Sequence, residues 1–187
     1  VDLDLPAGPF VEVFVGGLTA EIASVTVSGD FLFSQRTTSL GTITQIGIAD
    51  FSATVDFNGD DIGVKSGEGA FIVLAPGTGG SVPGGVAGVI SAEVEVDAGP
   101  VSLSGQVTVR INTTRVGIDR EVNVGGRSIA VRFGEDESAA GDVFQLSVSN
   151  LTLNIADFIT IEGSVACLTV RNHTPFSVRA RLIFLGE

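Results

Sequence analysis

The chain has 187 residues, enough to bury one sizeable core, and its formal net charge is −12. It has 12 Phe but no Trp, Tyr or Met, and Gly is abundant with 25 copies. The charge excludes a nucleic-acid role, because phosphate binding needs a basic footprint, and no apolar run approaches the ~18 residues of a membrane-spanning helix.

The acidity is lopsided. Residues 1–105 carry 13 acids against Arg36 and Lys65, a net of −11, while residues 106–187 carry 9 acids against 8 arginines, a net of −1. It suits solubility for an otherwise apolar chain. The chain opens on Val1 and shows no signal-peptide core, which reads as a processed mature chain or an excised fragment. Cys167 is the single cysteine, so no internal disulfide is expected; at its alternating position it reads as a small core residue.

Apolar residues alternate with period two through most of the sequence, which predicts strands. Val11–Val15, Gly16-Gly17 and Leu18–Ile22 read as a hairpin with a tight glycine turn. Asn58–Gly63 reads as a turn, and the glycine-rich run 77–85 as a surface loop. Val122–Val124, Gly125-Gly126 and Ile129–Val131 form a second predicted hairpin, and Gly134–Asp142 an acidic loop. Phe144–Val148, Ser149-Asn150 and Leu151–Ile155 form a third hairpin. No helix is expected.

Internal similarity organises these segments. Val25-Thr-Val-Ser-Gly-Asp-Phe-Leu-Phe33 matches Val101-Ser-Leu-Ser-Gly-Gln-Val-Thr-Val109, and the match over 25–38 extends to 101–114. Ile159-Thr-Ile-Glu-Gly-Ser-Val-Ala-Cys167 is a third copy. Residues 10–35 as a whole resemble 143–169, with Val11 falling on Phe144, an offset of 144 − 11 = 133. The chain thus reads as a single β domain, 1–187, holding about one period of a repeat of about 130 residues and the start of the next. Glycines 29, 105 and 163 sit at the centres of equivalent predicted strands, where glycine signals a bulge, a bend or a close backbone approach.

Leu18–Phe33, Gly67-Glu-Gly-Ala-Phe-Ile-Val-Leu74 and Val101-Ser-Leu-Ser-Gly-Gln-Val-Thr-Val-Arg-Ile-Asn-Thr-Thr114 together resemble repeat modules of very large secreted, adhesin-like and RTX-associated prokaryotic surface proteins. The resemblance covers about residues 10–165 and implies an extracellular, non-catalytic, array-forming module at the cell surface. The segment from Leu168 onwards departs from it.

Candidate chemistry is sparse. Asp56, Asn58, Asp60 and Asp61 place oxygen ligands around a glycine turn, and Glu135, Asp136, Glu137 and Asp142 form a second acidic cluster. Ca²⁺ is the cofactor either would suit, although the EF-hand spacing is missing. Asn112, Asn150 and Asn172 begin glycosylation sequons. His173 stands without a motif that would make it catalytic, so no enzyme activity is expected. Arg171, Arg179 and Arg181, with Leu182 and Phe184, form an arginine-bearing apolar end that could add to a neighbour's sheet, as could Val1–Leu5.

The expected fold is all-β: an antiparallel sandwich of packed sheets, with a β-solenoid as the alternative. The expected function is a structural subunit or repeat of an extracellular filament, adhesin or surface layer, with copies of itself as partners. The alternative is a carbohydrate- or ligand-binding β module.

Overall fold

The computed structural model describes residues 9–22, 25–38, 41–57, 60–76, 84–156, 158–171 and 178–185; among these, the side chains of 22, 38, 56–57, 60–62, 167–171 and 178–185 lie outside the description. The fold is all-β and antiparallel, as the alternation predicts. Nine strands form one sheet in the order β1-β2-β3-β4-β5-β6-β9-β10-β11. They are β1 (Phe10–Ile22), β2 (Val25–Thr38), β3 (Gly41–Phe57), β4 (Asp60–Leu74), β5 (Gly85–Ala98), β6 (Val101–Asn112), β9 (Asp142–Ile155), β10 (Ile159–Arg171) and β11 (Val178–Leu185). Between β6 and β9 the chain leaves the sheet to build a separate hairpin, β7 (Ile118–Val124) and β8 (Arg127–Phe133), and a single helical turn, α1 (Glu135–Ala139). This up-and-down meander excludes the solenoid, whose coils stack parallel strands. The second layer is a two-stranded sheet only, so the packed layers are very unequal.

Two expected hairpins are instead single strands. Gly16-Gly17 lies inside β1 and Ser149-Asn150 inside β9, each pair opposite one residue of the neighbouring strand. A two-residue hairpin turn of the type expected needs positive φ at both central positions. Gly125 and Gly126 meet this, with φ of 56° and 87°, and there the predicted hairpin forms. In β1 only Gly17 is left-handed (φ 63°), and in β9 only Asn150 (φ 52°), which makes a bulge and lets the strand run on.

Bulges recur in one row across the sheet. Asp50 in β3 and Ser66 in β4 are also left-handed and sit at register shifts. The three repeated glycines lie on this row, each opposite a two-residue bulge or beside one: Gly29 against β3, Gly105 against β9, and Gly163 next to the β9 bulge. Only Gly29 is also a close approach, since a Cβ there would come within 3.1 Å of the Phe51 backbone. The row divides the sheet into a half that carries the hairpin and a far half.

Strand pairing fixes which residues share a face. In the hairpin half, one face presents Leu32, Gly47, Ala49, Ala70, Ile72, Ala87 and Val143. Ile118, Val122, Val124, Ile129, Val131 and Phe133 of the hairpin pack down on it and complete the buried core. The floor is made of small residues because the hairpin lies close: a Cβ at Gly47 would stand 2.2 Å from Val124 Cγ2. The solvent side of the hairpin is laced by Arg132, 3.0 Å from both Asp119 and Glu121.

Candidate functional site

The inserted hairpin and helix are tied to the sheet by polar residues of β6. Arg110 Nη1 donates to Gln145 Oε1 at 2.7 Å, and Nη2 donates to the Arg132 carbonyl at 2.8 Å. Its guanidinium also faces Glu137 at 3.4 Å and lies 4.7 Å from the centre of the Phe133 ring. Asn112 is fully buried. Its Nδ2 donates to Ser138 Oγ and to the Val116 carbonyl, and its Oδ1 accepts from the Thr114 amide and hydroxyl. Thr113 Oγ1 closes the network on the amide and carbonyl of Val86. The Arg-Ile-Asn-Thr-Thr run is therefore a structural anchor. Asn112, expected as a glycan acceptor, has no accessible amide in this fold. Asn150 is exposed on its bulge, and Asn172 lies outside the described residues.

The acidic cluster is also rearranged by the fold. The expected loop 134–142 contains helix α1, held by Ser138 Oγ donating to the Gly134 carbonyl at 2.7 Å. Glu135, Asp136 and Glu137 occupy its first turn, where carboxylates suit the exposed amides. Glu137 turns to Arg110, and Asp142 to Arg115 at 3.2 Å, so the four acids are not gathered around one point. Among the described residues no group of three or more His, Cys, Asp or Glu is placed to hold a metal. The backbones of Asp56, Asp60 and Asp61 pair at the β3–β4 hairpin end; their side chains, and Asn58 altogether, lie outside the described residues. So do the side chains of Arg171, Arg179, Arg181, Leu182 and Phe184 and all of Val1–Leu5 and His173. The β11 backbone completes its own sheet, with Arg179 opposite Val170 and Arg181 opposite Leu168.

Among the described residues, depressions indent the covered side. An apolar cleft of about 380 Å³ lies at the end of β3 and β4, lined by Ile43, Leu74, Val116, Ile118 and Arg120. A polar hollow of about 250 Å³ lies in the far half, where Lys65 pairs with Glu95 beside Glu93, Ser104 and Gln106.

The dominant feature is the opposite face of the sheet. Register places Val11, Val13 and Val15 of β1, Phe31 and Phe33 of β2, and Ile46 and Ile48 of β3 on it. Phe71, Ile90, Val109, Phe144 and Leu146 continue it across the sheet. In the far half the same face carries Val64, Val94, Leu103, Leu153 and Ile161, while the reverse carries Lys65, Glu95, Ser104, Thr152 and Glu162. Among the described side chains the one charge in this phase is Asp142, at the first position of β9, where it pairs with Arg115. None of the face's described side chains larger than hydrogen is buried, and Phe33, Phe144 and Leu146 are more than a third exposed.

No protein-family profile, curated protein or solved structure matches the chain.

Proposed function

We propose that the chain is a non-catalytic structural module of an extracellular filament, adhesin or surface layer, and that it associates with further copies of itself. The uncovered apolar face carries this reading. Nine strands of 8 to 17 residues, averaging about 13, at ~4.8 Å spacing and a rise of ~3.3 Å give that face on the order of 1,900 Å². That is more than twice the ~800 Å² per partner of a standard protein interface, and far beyond the apolar patches that soluble monomers leave exposed. A second copy laid on this face would supply the missing full layer of a sandwich.

The repeat supports the same reading. β1 and β2 match β9 and β10 in sequence, and they match in pairing: Gly16-Gly17 bulges opposite Asp30 as Ser149-Asn150 does opposite Ser164. Leu18 pairs with Gly29 as Leu151 pairs with Gly163. This is the expected signature of a unit that recurs. Negative-stain electron microscopy of the purified chain, with and without calcium, tests the proposal. Ordered polymers or sheets are the expected result; a monodisperse monomer that binds glycans would overturn it.

A further inference from the structure

β9 stands where a second unit would begin, and its two neighbours are both visible. On one side it pairs with β10, as β1 pairs with β2. On the other side it pairs with β6. β1 is the first strand of the sheet order and has β2 as its sole partner among the described strands.

We infer that the open edge of β1 is a docking edge for a β6-type strand of another copy of this unit, joining successive units into one continuous sheet. The inference rests on the repeat-module reading above and adds an edge contact to the face contact proposed there. Within the chain the β6 edge is occupied by β9, so the donor is a β6-type strand whose β9 position is left for β1 to fill.

The register follows from the one observed. β6 pairs Asn112 with Val143, Arg110 with Gln145, Gln106 with Ser149, Ser104 with Thr152 and Val101 with Ile155. Subtracting 133 from each β9 number places Asn112 opposite Phe10, Arg110 opposite Glu12, Gln106 opposite Gly16, Ser104 opposite Thr19 and Val101 opposite Ile22. Chemistry agrees with this register at several positions. Gln145, which accepts from Arg110 at 2.7 Å, is replaced by Glu12, so a hydrogen bond from a cation to a neutral amide becomes an ion pair. Val11, Val13 and Val15 would face Ile111, Val109 and Val107 on the apolar face, and these three β1 valines are each more than 40% exposed. Gly17-Leu18 would meet Gly105 as Asn150-Leu151 does.

The Gly16-Gly17 bulge and two glutamates are the only devices on β1 of the kind that normally blunt an edge. The strand runs 13 residues with no proline and no lysine, and Glu12 and Glu21 are its only charges. Main-chain pairing along such an edge gives affinity, while side-chain register gives specificity.

The test uses the full chain, below any concentration at which it polymerises, with a fluorescent peptide spanning Val101–Asn112. Saturable binding is expected. Arg110→Glu in the peptide should weaken it about fivefold, because like charges then oppose each other across the strands. Glu12→Arg in the chain should restore it, with circular dichroism confirming that this variant is folded. Disulfide trapping fixes the site: Glu12→Cys in the chain should couple to Arg110→Cys in the peptide, and Thr19→Cys to Ser104→Cys, while the mismatched combinations should not. Absence of binding, indifference to the charge exchange, or trapping out of this register would overturn the inference. Polymers formed without peptide capture at β1 would remove this edge and leave self-assembly standing; capture in this register without polymers would support the edge and count against self-assembly of the isolated chain.

Discussion

The two faces of the large sheet are built from the same strands yet show opposite logic. On the covered face of the hairpin half the sequence places Gly47, Ala49, Ala70 and Ala87, and these small residues are buried under β7 and β8. On the open face it places Ile46, Ile48, Phe71 and Val109, and none of them is buried. In β3 and β9 the bulkier apolar phase therefore points away from the protein's own core, while in β4 Ile72 joins that core. A sheet that kept its larger apolar residues for itself would bury the second set, as area-proportional stabilisation favours. The difference teaches that burial here follows where the inserted hairpin lands, and that no other described element covers the open face.

Substitutions can break or sharpen that contrast. The largest effect is expected at the covered face: Gly47→Val would drive a Cβ into Val124 and should cost about 3 kcal/mol, the upper range of overpacking. Chemical denaturation would measure it, and limited proteolysis between residues 113 and 141 would show the hairpin lifting off. Next comes the anchor. Asn112→Ala removes its bonds to Ser138 Oγ, the Val116 carbonyl and the Thr114 amide and hydroxyl at once and should cost about 2–3 kcal/mol by the same denaturation assay. On the open face the sign of the contrast reverses: Phe144→Lys should change the stability of the isolated chain by no more than about 1 kcal/mol while reducing its self-association, read by light scattering. The smallest effect is expected on the outer side of the hairpin. Arg132 pairs with Asp119 and Glu121 at a well-exposed position, so Arg132→Ala should move stability by only about 0.5 kcal/mol, an effect that added salt should diminish.

Much of the fold was legible in the sequence, and the failures share a cause. Alternation identified the strands, and Gly125-Gly126 marked a true hairpin because both residues take positive φ. Gly16-Gly17 and Ser149-Asn150 look alike locally but form bulges, because what decides is non-local: β2 and β10 run uninterrupted past those points and pair on both sides of them. The repeated glycines signalled a bulge, a bend or a close approach, and each lies opposite or beside a bulge. Helix α1 was not legible; it spans five residues and is held by Ser138, which reaches Asn112 across 26 positions of sequence. Arg110 was missed as an anchor, although it is the only charged residue in β6 and lies on that strand's polar phase. The acidic residues 135–142 suggested a metal loop because sequence shows carboxylates together and hides the arginines that Glu137 and Asp142 turn to. The choice of buried face was beyond reach, since period-two alternation is symmetric between a core inside the chain and one shared between chains.

That choice is what sedimentation equilibrium addresses most directly. The full chain should associate as its concentration rises, and a Phe33→Lys, Phe144→Lys double variant with an unchanged circular dichroism spectrum should remain monomeric. A full chain that stays monomeric throughout, or a double variant that associates as strongly as the parent, would contradict the account of the open face.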